Sequence, residues 1–197
     1  AKFLWGFPIT RFHFIGITED FNNELQRFAI QVLGEKLPPL QLNFKKSQVK
    51  GTLFAGQNKL KLVAPCRVGK RYQQYVILEY LAYKIYQILT DQSFTVRLVR
   101  LSYVDRDENL DPWTDIAFVI EDDKDMARRV DLDRVNIESV LYSQLNHARM
   151  AVVQLFQFMI GNSDWSRAFL RNVELVKLHD GQGALLVPYD FDFSGLV

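Results

Sequence analysis

The stretch Gly161–Asp192, GNSDWSRAFLRNVELVKLHDGQGALLVPYDFD, orders the rest of the chain around it. Gly161-Asn162 reads as a helix stop, because both residues tolerate the left-handed backbone that ends helices. Ser163 to Asn172 is a loop. Val173 to Leu178 and Ala184 to Tyr189 are β-prone apolar runs, and His179-Asp180-Gly181-Gln182-Gly183 between them places glycines where a hairpin turn needs positive φ. Asp190 and Asp192 then bracket Phe191 at the end of this apolar segment. Two carboxylates there are costly to bury unless a metal or a basic partner answers them.

Upstream, Ile137 to Ile160 combines Val140, Leu141, Leu145, Met150, Val153, Phe156 and Phe158, with a second half apolar all round. This predicts a long helix buried on every side. The chain before it has a different character. Arg11 to Ile17, Arg27 to Leu33, Leu40 to Phe44, Gly51 to Phe54 and Leu60 to Ala64 are candidate strands. Phe94 to Val104 and Thr114 to Ile120 form a hairpin across the polar run 105–109. One helix interrupts them: Ile77, Leu81, Ile85 and Ile88 recur at helical spacing across Gln74 to Leu89. Tyr72, Tyr75, Tyr80, Tyr83 and Tyr86 form its packing stripe and lead-in, and Glu79 sits at the edge of its apolar arc. The expected fold is α+β, with a mostly antiparallel β-rich lobe at 1–120 and a helical lobe carrying a β-hairpin at 121–197. The acidic run Glu121 to Asp125 is a hinge candidate, and Arg128-Arg129 beside Asp131 and Asp133 reads as a solvated face.

Composition narrows the functional classes. The 197 residues are 48% apolar and 24% charged, enough for a core without staples and unlike a disordered or fibrous chain. Lys and Arg number 24 against 23 Asp and Glu, a formal charge of +1, so no global footprint for nucleic acid exists. Any charged ligand is held locally. No run reaches the length of a membrane span. Ala1-Lys2-Phe3 carries neither a charged leader nor an apolar signal core. Cys66 stands alone, without the partners a disulfide or zinc site needs, and reads as an inert, half-buried thiol. His13, His147 and His179 are scattered, with no nucleophile to pair with.

Five polar residues fall at junctions of these elements: Lys61 in a strand, Glu79 in the following helix, Asp164 after the buried helix, Asn172 before the hairpin and Asp190 after it. Lys61 and Glu79 are 18 residues apart, enough for a strand end, a loop and the first turns of a helix. This order is that of a protein-kinase-like fold. There a strand lysine holds the α/β-phosphates, a helix glutamate pairs with it, a loop carboxylate orients the attacking hydroxyl, and an Asn and an Asp bind Mg²⁺. Hard oxygen donors suit Mg²⁺, and no His or Cys cluster suits zinc.

The chain resembles the CotH-type spore-coat kinases, an atypical protein-kinase-like family that transfers phosphate from ATP to protein. The matching words are Asn58-Lys59-Leu60-Lys61-Leu62-Val63, Leu78-Glu79-Tyr80-Leu81-Ala82-Tyr83, Phe118-Val119-Ile120-Glu121-Asp122, Gly161-Asn162-Ser163-Asp164-Trp165 with Arg171-Asn172, and Tyr189-Asp190-Phe191-Asp192. They run from about Leu40 to the end of the sequence. The resemblance implies catalytic roles for Asp164, Lys61 and Glu79, ATP binding by Lys61 and by Glu121 at a nucleotide-binding hinge, and Mg²⁺ ligation by Asn172 and Asp190 with Asp192 assisting. It also implies a protein acceptor with a Ser or Thr hydroxyl, and further helices beyond Val197, so that the second lobe is incomplete.

The chain departs from ordinary kinases in three places. Asp164 and Asn172 stand eight residues apart, against five in the H-R-D-x-x-x-x-N loop. No G-x-G-x-x-G is present, and Gln57-Asn58 follow Gly51 to Gly56 where a phosphate loop needs Lys-Ser/Thr. Asp192, not Gly, follows the Asp-Phe pair. Three other readings stand beside the kinase: a nucleotide-binding scaffold of the same fold without transfer, a metal-dependent hydrolase using Asp164, Asp190 and Asp192, and a β-rich interaction domain. Compartment and oligomeric state leave no mark on the sequence.

Overall fold

The alternation in Lys59–Val63 puts Leu60 and Leu62 on the buried face of a strand and Lys59 and Lys61 on the other. A computed structural model describes residues 41–197 except 46, 48, 53, 58, 66–68, 106–110, 180 and 182, with the backbone of four strands before residue 41. Cys66, the 106–109 turn and the expected strand residues 29–33 lie outside the described residues. The architecture is α+β and divides into two units, Ala1–Ile77 with Arg97–Ile120, and Leu78–Val96 with Glu121–Val197.

In the first unit, β1 (Phe3–Leu4) pairs with β2 (Phe7–Pro8). A six-stranded sheet holds β3 (Phe12–Thr18), β4 (Leu25–Phe28), β5 (Gln41–Asn43), β6 (Lys59–Val63), β7 (Val96–Asp105) and β8 (Trp113–Ile120). Its order is β4-β3-β7-β8-β6-β5. β3 runs antiparallel to β4 and β7, and β6 antiparallel to β5 and β8. Leu42, Leu60, Leu62, Leu101 and Ala117 form its core together with Phe44 and Phe54, whose rings stack at 5.0 Å. The described residues of Gly51 to Phe54 form no strand. Gly51 and Gly56 adopt φ of 81° and 87°, and the segment turns on itself through Thr52 N to Val49 O and Ala55 N to Thr52 O. Such angles do not continue a ladder. The start of α1 (Lys70–Leu89) is anchored to β8 by Gln73, whose Nε2 donates to the buried Asp115 at 2.6 Å.

The second unit takes up the rest of α1, then α2 (Asp123–Arg129), β9 (Asp133–Arg134), a 3₁₀ turn at Tyr142–Gln144, α3 (His147–Met159), β10 (Val173–Lys177) and β11 (Ala184–Pro188). β10 is central in a β11-β10-β9 sheet, antiparallel to both neighbours. The hairpin turn has φ of 74° at Gly181 and 90° at Gly183, as the glycine spacing predicts.

Two expectations fail here. The long helix at Ile137 to Ile160 begins only at His147, where Asn146 caps it by accepting from Arg149 N at 3.0 Å. Asn146 N in turn donates to Ala184 O at 2.7 Å and Leu145 bridges Ala184, so the chain between the 3₁₀ turn and the cap is bound to β11. Nor is α3 buried all round. Met150, Val153 and Phe156 face the core, each contributing about 1.5–3 kcal/mol by its burial, while Leu155, Phe158 and Met159 are exposed. The acidic run around Glu121, read as a hinge candidate, leads directly into a capped helix: Asp122 accepts from Lys124 N, with Asp123 and Asp125 in the first turn and Arg128 and Arg129 in the last. That distribution of charge suits the helix dipole. No helix among the described residues is long and apolar enough to cross a membrane.

Candidate active site

The antiparallel register of β10 and β11 sets Val173 opposite Pro188. One step outward, Tyr189 N donates to Asn172 O at 3.0 Å. The open ends of the hairpin therefore bring Asn172 beside the Asp190-Phe191-Asp192 turn, though 18 residues separate Asn172 from Asp190.

Asp164 reaches the same place from α3. Helix α3 stops at Ile160, Gly161 turns left-handed at φ 63°, and Asn162 folds inward. The buried Asn162 donates Nδ2 to Oε1 of the buried Gln157 at 3.0 Å and accepts Asp164 N at 3.0 Å. Asn172 Nδ2 donates to Asp164 O at 2.6 Å and to Asp164 Oδ2 at 3.2 Å. The eight-residue spacing is absorbed by a clip: Ser166 N donates to Arg171 O and Arg171 N to Ser166 O, at 3.0 and 3.1 Å. Residues 167–170 loop out beyond it, and Leu170 and Asn172 take φ of 48° and 54° to make the turns. Arg171 Nε lies 3.2 Å from Asp164 Oδ1. Both carboxylate oxygens of Asp164 are thus held.

The Asp190 turn is wedged into the core by the residue between its acids. Phe191 is fully buried, edge-on to Tyr83 of α1 at 4.6 Å and to Phe156 of α3 at 5.5 Å. Asp190 N donates to Tyr83 Oη at 2.8 Å, and Asp190 adopts φ 61°. A non-glycine residue in that region costs about 1 kcal/mol or more. Glu79 and Tyr83 are one helical turn apart on the same face of α1. Expected at the edge of an apolar arc, Glu79 is buried at 4% exposure and accepts the backbone N–H of Phe191.

Burial pushes the Glu79 carboxyl up to about 8, with Asp190 and Asp192 adding like-charge repulsion. Asp192 is also raised, by burial first and then by Asp164, although it shares a hydrogen bond with the Asp190 side chain. Glu79, Asp164, Asp190 and Asp192 thus share one electrostatic neighbourhood, with the Asn172 amide among them. Comparisons with protein-family models, curated proteins and solved structures find no match to this chain.

Two more predicted residues, Lys61 and Glu121, belong to other segments of the chain. Lys61 is half-buried at the centre of β6 in the first unit, paired in register with Gln41 and Ile120. Glu121, in the second unit, gives its N–H to Thr95 O at 2.9 Å and accepts Thr95 N on Oε2 at 3.0 Å. Its carboxylate also pairs with Arg129 Nη2 at 3.0 Å. Both its N–H and its carboxylate are engaged within the protein.

The sequence reading missed the supporting residues. Tyr83 does more than pack, since its hydroxyl accepts Asp190 N, and its i+4 relation to Glu79 is visible in the sequence. Gln157 lies in an apolar helix, where an amide facing the core signals a bound polar partner.

Among the described residues, no three His, Cys, Asp or Glu side chains are grouped to hold a metal by themselves. The candidate donors are nonetheless all hard oxygen: the carboxylates of Asp190 and Asp192, which share a hydrogen bond, and the side-chain carbonyl of Asn172, whose amide is held against Asp164. Mg²⁺ is commonly bound by one or two carboxylates plus substrate phosphates, and crowded carboxylates are relieved by a cation between them. These residues fit that ion.

Proposed function

We propose that this protein is an ATP- and Mg²⁺-dependent phosphotransferase of CotH-like, protein-kinase-like type, acting on a hydroxyl of a protein. One observation carries the reading: Glu79, Asp164, Asn172, Asp190 and Asp192, scattered along the sequence, meet in one unit with Asp164 pinned beside Asn172. In transfer, the acceptor oxygen attacks the γ-phosphorus while the bond from that phosphorus to the β–γ bridging oxygen breaks. The phosphoryl group passes to the acceptor, ADP leaves with the bridging oxygen, and Asp164 takes the hydroxyl proton. Asn172, Asp190 and Asp192 would hold Mg²⁺, which when bound would supply charge neutralisation on the phosphates. Arg171 and Asn172 keep the Asp164 carboxylate aimed, so little reorganisation remains when the hydroxyl arrives. Glu79 fixes the Asp190 turn through the Phe191 N–H. The resemblance assigns the phosphate grip to Lys61, and Lys61→Ala tests that half of the reading.

Thermal unfolding with and without Mg²⁺-ATP, on the parent and on Asp190→Ala, tests the proposal. A ligand bound only by the folded state raises the midpoint by mass action. The expected result is a rise in the parent that Asp190→Ala abolishes, followed by radiolabel transfer from γ-labelled ATP to a protein acceptor. A rise without transfer supports the non-catalytic scaffold instead. No rise at saturating Mg²⁺-ATP overturns the nucleotide reading. The metal-dependent hydrolase using Asp164, Asp190 and Asp192 stands as the second reading on the like-charge influence of Asp164 on Asp192, and stabilisation by Mg²⁺ or Mn²⁺ alone, indifferent to ATP and to Lys61→Ala, would establish it.

A further inference from the structure

The clip between Ser166 and Arg171 leaves residues 167–170 standing out beside Asp164. This tip is not polar filler. Phe169 is 79% exposed and offers an apolar ring at the point of the tip. Arg167 places its guanidinium 5.1 Å from the centre of the Tyr142 ring, and that ring stacks on His147 at 4.5 Å with 14° between planes. Arg171 stands exposed at the base of the tip while holding Asp164. Segments 141–149 and 165–172 contain Arg149, Arg167 and Arg171 and no Asp or Glu. Arg149, Arg167 and Arg171 and the Tyr142–His147 stack thus give this flank of the acidic site basic and aromatic groups.

We propose that the 167–170 tip and the Tyr142–His147 stack form the acceptor-docking face of the enzyme, and that they select a polypeptide with acidic side chains around its hydroxyl. This rests on the phosphotransferase reading above. Arg167, pre-ordered on Tyr142, offers a planar fork to a carboxylate. Phe169 supplies an apolar anchor next to it. Because the tip grows from the strand-like clip that also ends at Asn172, an acceptor seated on it presents its hydroxyl towards Asp164.

The test uses two serine peptides, one flanked by glutamates and one by lysines, with Mg²⁺-ATP and the full chain. The parent should prefer the glutamate peptide by roughly tenfold in kcat/KM. Arg167→Glu should erase or reverse that preference through KM, and Phe169→Ser should raise KM for both peptides. The thermal shift with Mg²⁺-ATP, which needs no acceptor, reports separately on the nucleotide site. A parent that shows this shift and transfers equally to both peptides, or better to the lysine peptide, overturns the docking proposal and leaves the phosphotransferase intact. So does a parent whose tip binds a single-stranded oligonucleotide and neither peptide. A parent with neither shift nor transfer overturns both.

Discussion

Asn172 donates one side-chain amide to both the backbone carbonyl and the carboxylate of Asp164, at 2.6 and 3.2 Å. The same residue is positioned by its backbone, which accepts Tyr189 N across the hairpin end. A single side chain therefore couples the loop after α3 to the Asp190 turn.

Replacing Asn172 separates its roles. Asn172→Ala removes the pin and the proposed metal oxygen, and should lower transfer by roughly a hundredfold. It also places alanine at φ 54°. Asn172→Gly removes the same amide in a conformation that glycine accepts without strain. Both variants should lose transfer, with the Gly variant closer to parental stability in urea unfolding. Parental transfer by Asn172→Gly would remove Asn172 from the site.

Glu79 predicts a pH dependence of stability. Its folded-state pKa is about 8, against an ordinary 4.5. Between those values the folded chain keeps a proton that the unfolded chain releases, so stability declines as pH rises, by up to about 1.4 kcal/mol per unit. The penalty is absent below the lower value and complete above the higher one. Urea unfolding in chelator from about pH 5 to about pH 8 should show this decline, and Glu79→Gln should flatten it. An equal slope in both proteins would place the linkage on other groups.

Asp190 combines a left-handed backbone at φ 61° with like-charge repulsion towards Glu79, while its side chain shares a hydrogen bond with Asp192. Asp190→Gly relieves both and should raise stability by about 1 kcal/mol while abolishing the Mg²⁺-ATP shift. Calorimetry of the two proteins with and without nucleotide measures both effects. A destabilised variant would mean that the Asp190 side chain holds the turn in place.

Arg129 reaches Glu121, Asp91 O and Ser93 O at once. Arg129→Ala should cost about 1–3 kcal/mol, because the half-buried Glu121 carboxylate and two carbonyls lose their donor. Arg129→Lys should recover only part, since an ammonium does not match a planar fork. Full recovery by lysine, judged by unfolding midpoints, would reduce the cluster to simple charge.

The hairpin at 173–189 was legible because its turn glycines and its apolar runs point to the same structure. Helix α3 was over-read at its start: Leu141 and Leu145 fit a helical pattern, but Asn146 is the stronger signal, a cap whose carbonyl and side chain begin the helix and whose N–H goes to β11. Its all-round apolarity was also misread as burial, because composition does not say whether a neighbour exists to cover Phe158. Helix α2 was hidden by its charges, which read as a solvated run although acids at one end and arginines at the other are how a short helix answers its dipole. Within the site, the sequence named Glu79, Asp164, Asn172 and Asp190. It could not place the Ser166–Arg171 clip, since backbone pairing across four residues leaves no mark in side-chain pattern.

That clip makes the ends of the loop indifferent to what lies between them. Reciprocal backbone bonds need no particular side chain, so the tip is free to be lengthened, shortened or exchanged while Asp164 and Asn172 stay in register. On the proposed reading, target preference would be a graftable trait, open to loop transplantation without rebuilding the site beneath it.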